Sequence, residues 1–144
     1  MQSFRNLRVW EKAHSLTLNV YASTKSFPRE ELYGMTSQMR RASASVGMNI
    51  AEGCCRKGDA EMGRFVQMAM GSASELEYQM LLARDLHYLN GPEHKHLDDQ
   101  VVEVKKMLSS LLRTLKIDRL RAESIARLGA VAHFVLASIP IPPN

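Results

Sequence analysis

The chain has 144 residues, enough for about one domain with a real core, and 45% hydrophobic against 24% charged residues is ordinary for a globular fold. A formal net charge of +4 admits a polyanionic partner without demanding one. Its two cysteines, Cys54 and Cys55, are neighbours and imply no disulfide framework, no apolar run is long enough to span a bilayer, and the N-terminus lacks a signal-peptide core, so a reduced, cytoplasmic protein without membrane association is expected.

Val9, Ala13, Leu16 and Val20 repeat at helical spacing and predict a first helix, capped by Asn6 and finished before Phe27-Pro28. Pro28 suits the first turn of a second helix, where Glu30 and Glu31 sit at the positive end. Met35, Met39, Ala42, Val46 and Ile50 mark its buried face.

The crowded stretch "SVGMNIAEGCCRKGD", Ser45 to Asp59, invites a reading as a reactive loop. It lacks the GK[ST] of a phosphate loop, and no strand precedes it. The economical reading is a helix stop at Gly53, a short turn, and a helix start capped by Asp59.

A third helix is predicted from about Ala60 to Leu89, with Phe65, Ala69, Ser72, Leu76, Met80 and Ala83 on one face. Met62, Val66, Met70 and Ala73 form a second apolar edge, and "ASAS" and "GSAS" mark places where helix backbones can approach closely. A broad core contact and a subunit interface both account for these. Asn90-Gly91-Pro92 opens a fourth helix with Leu97, Val101, Val104, Leu108, Leu111 and Leu115 spaced for lengthwise packing. The whole reads as an all-α, antiparallel up-down four-helix bundle over residues 1–117. Residues 118–144 form a tail that extends the fourth helix, docks on a neighbour, or is partly disordered at its Pro-rich end.

No enzyme motif emerges. Glu52, Glu75 and Glu77 lack the Glu-x-x-His partners of a di-metal bundle. Pairing of Glu52, Glu75 and Glu77 with Arg40 or Arg41, inside the chain or between subunits, is the expectation for them. His87, His94, His96, Asp98 and Asp99 carry metal-compatible atoms, but residues two apart on a helix point to different sides. No metal, cofactor or catalytic residue is expected. A thiol at Cys54, near a helix C-terminus, is expected to have a raised pKa.

Basic residues give a better signal. Arg5, Arg8 and Lys12 follow one side of the first helix, and Lys106, Arg113 and Lys116 do so on the fourth. Arg56, Lys57 and Arg64 gather at the turn between the second and third. Such residues can contact phosphates in a way indifferent to base sequence. A solvated face is the competing reading, because Glu11, Asp59, Glu61 and Glu103 lie among them.

With the helices laid out, the sequence resembles the four-helix-bundle proteins encoded in intervening sequences of bacterial 23S rRNA genes, relatives of the accessory variability determinant of diversity-generating retroelements. "FRNLRVWEKAHSL", "FPREELYGMTSQMRRASASVGMNIAEG" and "GRFVQMAMGSASELEYQMLLARDLHYL" carry the resemblance, which spans roughly residues 4–116. It implies a ring-like homopentamer and a nucleic-acid partner, RNA before DNA, with a non-enzymatic accessory role. Arg40, Arg41, Glu52 and Glu75 would then stand at an oligomer interface or in buried ion pairs. The competing function is a protein-interaction scaffold holding a partner such as a reverse transcriptase.

Overall fold

The computed structural model describes residues 3–137, with side chains described through residue 129. Among the described residues the chain is all-helical, with four α-helices and no strand: α1 (Arg8–Ser23), α2 (Met35–Cys55), α3 (Asp59–Asp85) and α4 (Gly91–Ala137). Short 3-10 turns occupy Phe4–Asn6, Thr24–Ser26 and Arg29–Glu31. Both α1 and α3 pack against α2 and α4, which puts α1 and α3 at opposite corners of a bundle.

Apolar spacing selects the buried faces. Val9, Ala13, Leu16 and Val20 of α1 meet Met39, Val46 and Ile50 of α2, with Ala69, Leu76 and Met80 of α3 and Leu97, Val101, Val104 and Leu108 of α4 completing one core. Both apolar edges of α3 are used within the chain: Val66 and Ala73 are buried, while Met62 and Met70 pack half-buried against the core. The small-residue runs bring α2 and α3 together, and the Ser72 hydroxyl lies 3.0 Å from that of Ser45.

The helix ends differ from the sequence reading in five places. Leu7, not Asn6, is the N-cap of α1, and it offers no side-chain bond. A 3-10 turn follows Pro28, and α2 begins only at Met35, whose N–H donates to the Glu31 carboxylate at 2.9 Å. Gly53 does not stop α2, which runs on to Cys55; it is buried where the helices approach closely, and a Cβ there would meet Met62 Sδ at 2.7 Å and Phe65 Cβ at 3.0 Å. The reversal belongs to Gly58, the N-cap of α3, at φ 86°, a conformation that side chains resist; Asp59 is the first helical residue, not the cap.

α3 ends at Asp85, four residues short of the expected Leu89, in paired closing bonds: Tyr88 N–H to Ala83 O at 2.8 Å and His87 N–H to Arg84 O at 2.9 Å. His87 takes the left-handed position, φ 63°, usually given to glycine. Asn90 opens α4 by a reciprocal cap: its Oδ1 accepts from Glu93 N–H at 2.8 Å, and its N–H donates to the Glu93 carboxylate at 2.9 Å.

Beyond Leu115, α4 leaves the bundle and continues without a break through residue 118. At 47 residues it measures about 70 Å. Ile117, Leu120, Ile125 and Leu128 are each at least half exposed on this projection. No helix among the described residues is long and apolar enough to cross a membrane. The Pro-rich end named above, residues 140–144, lies outside the described residues.

Candidate nucleic-acid interface

The structure divides the nine singled-out cations. At the α2–α3 turn, made sharp by Gly58, Arg56 and Arg64 place their guanidiniums 5.3 and 4.8 Å from the centre of the Phe65 ring. The buried ring holds both at the surface by cation–π attraction. Each also has a carboxylate neighbour on its own helix, Glu52 for Arg56 and Glu61 for Arg64. Lys57 is exposed between them.

From this turn a groove follows the seam of α3 and α4. Its first section, a cleft of about 370 Å³, is lined by Asp59, Ala60, Gly63, Arg64 and Gln67 of α3 and by Leu112, Arg113, Leu115, Lys116 and Arg119 of α4. Its second section shares Arg113 and adds Met70, Glu77, Val102, Lys105 and Lys106. Six cations therefore border one groove: Arg64, Lys105, Lys106, Arg113, Lys116 and Arg119. Lys105 is bonded across the seam to Glu77, and Arg119 pairs with Glu123 on its own helix at 3.4 Å. Among the described residues Lys106, Arg113 and Lys116 form no ion pair within the chain. Met70, Val102, Leu112 and Leu115 pack on the core from one side and open to the groove on the other.

Sequence reasoning missed Lys105 and Arg119. Arg119 stands three residues beyond Lys116, a helical spacing, but falls in the stretch from 118 that the sequence reading set apart as a tail. Lys105 becomes part of the groove only through Glu77, a contact 28 residues away along the chain.

The α1 cations lie elsewhere. Lys12 pairs with Glu103 of α4 at 3.1 Å, in a cleft that also contains Glu11. Arg5 covers the Phe4 ring at 4.7 Å, and Arg8 is exposed. Neighbouring carboxylates divide this stripe, which does not join the α3–α4 groove.

Arg40, Arg41, Glu52 and Glu75 do not pair with one another within the chain. Arg40 Nε donates to Thr24 Oγ1 at 2.9 Å, and its guanidinium lies over the Tyr21 ring at 4.7 Å. Glu75 accepts from Gln79 Nε2 at 3.2 Å. Arg40, Arg41 and Glu75 line one cleft between α2 and α3, together with Tyr21, Ser45 and Met48. Burial, and after it the neighbouring Cys55, pushes the Cys54 thiol above the ordinary cysteine range. That makes Cys54 a poor nucleophile at neutral pH.

Fold and surface define the class, an all-helical bundle with a basic inter-helix groove. Residues 5–110 match the model of the 23S rRNA-intervening sequence protein family, and the chain belongs to that family. Among solved structures it is similar to a protein of unknown function from the S23 ribosomal protein family of Bacteroides thetaiotaomicron. That likeness has a TM-score of 0.66 at 21% identity and covers 72% of this chain and 97% of the other, which supports the fold alone. No curated protein matches significantly.

Proposed function

We propose that this chain is a non-enzymatic nucleic-acid-binding accessory protein of the cytoplasm, directed to RNA before DNA. The observation that carries the reading is the α3–α4 groove, where six cations converge and three of them have no carboxylate partner among the described residues. The α2–α3 turn continues this surface with Arg56 and Lys57. Membership of a family named for 23S rRNA intervening sequences agrees with an RNA setting. Kinship with the retroelement accessory determinant belongs to the same reading.

An antiparallel bundle assembled as a homopentameric ring completes the proposal. Met48, which lines the cleft of Arg40, Arg41 and Glu75, exposes 62% of its surface, and Met68 and Tyr78 of α3 expose 47% and 63%. Apolar exposure around a polar cleft suits a subunit contact. Repetition of a basic groove around a closed ring would multiply its field.

The test is binding of a labelled structured RNA across salt concentrations, for the native chain and for Arg64→Glu/Arg113→Glu/Lys116→Glu. The native chain is expected to lose affinity steeply with salt, with a log–log slope of about −3 for four or five phosphate contacts. The triple variant is expected to bind at least ~30-fold more weakly with its helical content unchanged. Equal affinity in the folded variant would remove the groove from the interface.

A protein-interaction scaffold is the second reading, favoured by the apolar side chains exposed on the α4 projection. Under that reading, removal of residues 118–144 abolishes capture of the protein partner and leaves RNA affinity intact.

A further inference from the structure

The groove is asymmetric in a way that charge alone does not require. Five of its six cations, Lys105, Lys106, Arg113, Lys116 and Arg119, come from α4, and α3 contributes only Arg64. Opposite that charged rim, α3 presents Asp59, Ala60, Gly63, Gln67 and Glu77, the last bonded to Lys105, and the floor between is Met70, Val102, Leu112 and Leu115. A base-paired helix offers two phosphate rows and keeps its base faces stacked inside, so an apolar floor gives it nothing. An unpaired strand offers one phosphate row and a row of apolar base faces.

We infer that the α3–α4 groove takes a single RNA strand lengthwise, phosphates along the α4 rim and bases laid on the floor toward α3. This inference rests on the nucleic-acid reading above and assigns the form of the ligand. No aromatic ring lines the groove, so base contact comes from aliphatic and thioether packing. A methionine sulfur is polarizable and favours contact with an aromatic ring without selecting among rings. Gln67 is the uncharged polar side chain that lines the groove from α3 and can meet a base edge. The site is therefore tolerant of base sequence. Lys105 and Arg119 are 14 positions apart on α4, about 21 Å, which is about six nucleotides at a stacked rise of about 3.4 Å each.

The test compares labelled 12-nucleotide oligouridine with a G·C-rich RNA duplex of twelve base pairs closed by a hairpin loop, by fluorescence anisotropy at low salt, with polyglutamate as competitor. The full native chain is expected to bind the single strand at least ~10-fold tighter than the duplex, and polyglutamate to compete poorly. Met70→Gln/Leu115→Gln, its fold checked by circular dichroism, is expected to weaken single-strand binding ~5-fold and to leave duplex binding and the salt slope unchanged. Duplex bound as tightly as the single strand, or polyglutamate competing equally, overturns the inference and leaves nucleic-acid binding standing. No binding of either RNA at low salt overturns both.

Discussion

Gly58 and His87 occupy the same half of conformational space with opposite suitability. Gly58, at φ 86° and ψ 154°, lies where side chains scarcely go, and Gly58→Ala is expected to lower stability by about 1–3 kcal/mol, read from denaturant midpoints at constant m-value. His87 bears the cost of a side chain at φ 63°, so His87→Gly is expected to raise stability by about 1 kcal/mol in the same measurement. At Cys54 the pKa is raised, which lowers the thiolate fraction at any pH below it. In a Cys55→Ala variant the larger cause, burial, remains. Its single thiol is expected to react with a disulfide reagent more slowly at pH 8 than an unstructured cysteine peptide, and the gap is expected to narrow as pH rises. Equal rates at pH 8 would contradict the burial. The raised Cys54 pKa was expected from its place near a helix end, though partial burial is its larger cause, while the positive φ at Gly58 and His87 is set by how the neighbouring helices join.

At the scale of elements, α4 is the instructive one. Its leucine spacing is clean, and Leu97, Val101, Val104 and Leu108 are buried as the pattern requires. Leu111 and Leu115 are only half-buried, because the bundle is ending beside them. Among the described residues, 116–129 are exposed, and an isolated helix of such a length is marginal in water. Deletion of residues 118–144 is therefore expected to move Tm by no more than about 3 °C in a protein whose projection is free. A larger fall would show that a second copy packs on it. The helix ends were partly legible: α4 opens at Asn90-Gly91-Pro92 as expected, with Glu93 completing a cap the sequence reading did not name, and Glu31, expected at the positive end of α2, caps it from outside. Gly53 misled because a glycine at a helix end and a glycine at a helix crossing look identical in a sequence.

For the whole molecule, the core ties the four helices into one cooperative unit. Leu76 is fully buried, and Leu76→Ala is expected to cost about 2–5 kcal/mol, seen as one shifted transition by both circular dichroism and fluorescence of the single tryptophan, Trp10. The charge reversals in the groove should move that transition far less, since Arg64, Arg113 and Lys116 are exposed and only Arg64 touches a buried side chain, the Phe65 ring. The groove's cations can thus be changed with little effect on the core, whereas its floor residues Met70, Val102, Leu112 and Leu115 pack against that core as well.

What the sequence determined by itself was the helical class and most of the core, because apolar side chains at helical spacing must face a common interior. Val9, Ala13, Leu16 and Val20, or Met35, Met39, Ala42, Val46 and Ile50, are read off one local period and are all buried. The candidate site was legible only as separate stripes. Arg64 on α3 and Arg113, Lys116 and Arg119 on α4 are some fifty residues apart, and their meeting depends on how two helices dock. The same docking set the α1 cations apart, by putting Glu103 against Lys12. Spacing along a chain reports which face of a helix is apolar; which charged edges then share a groove is decided by tertiary packing.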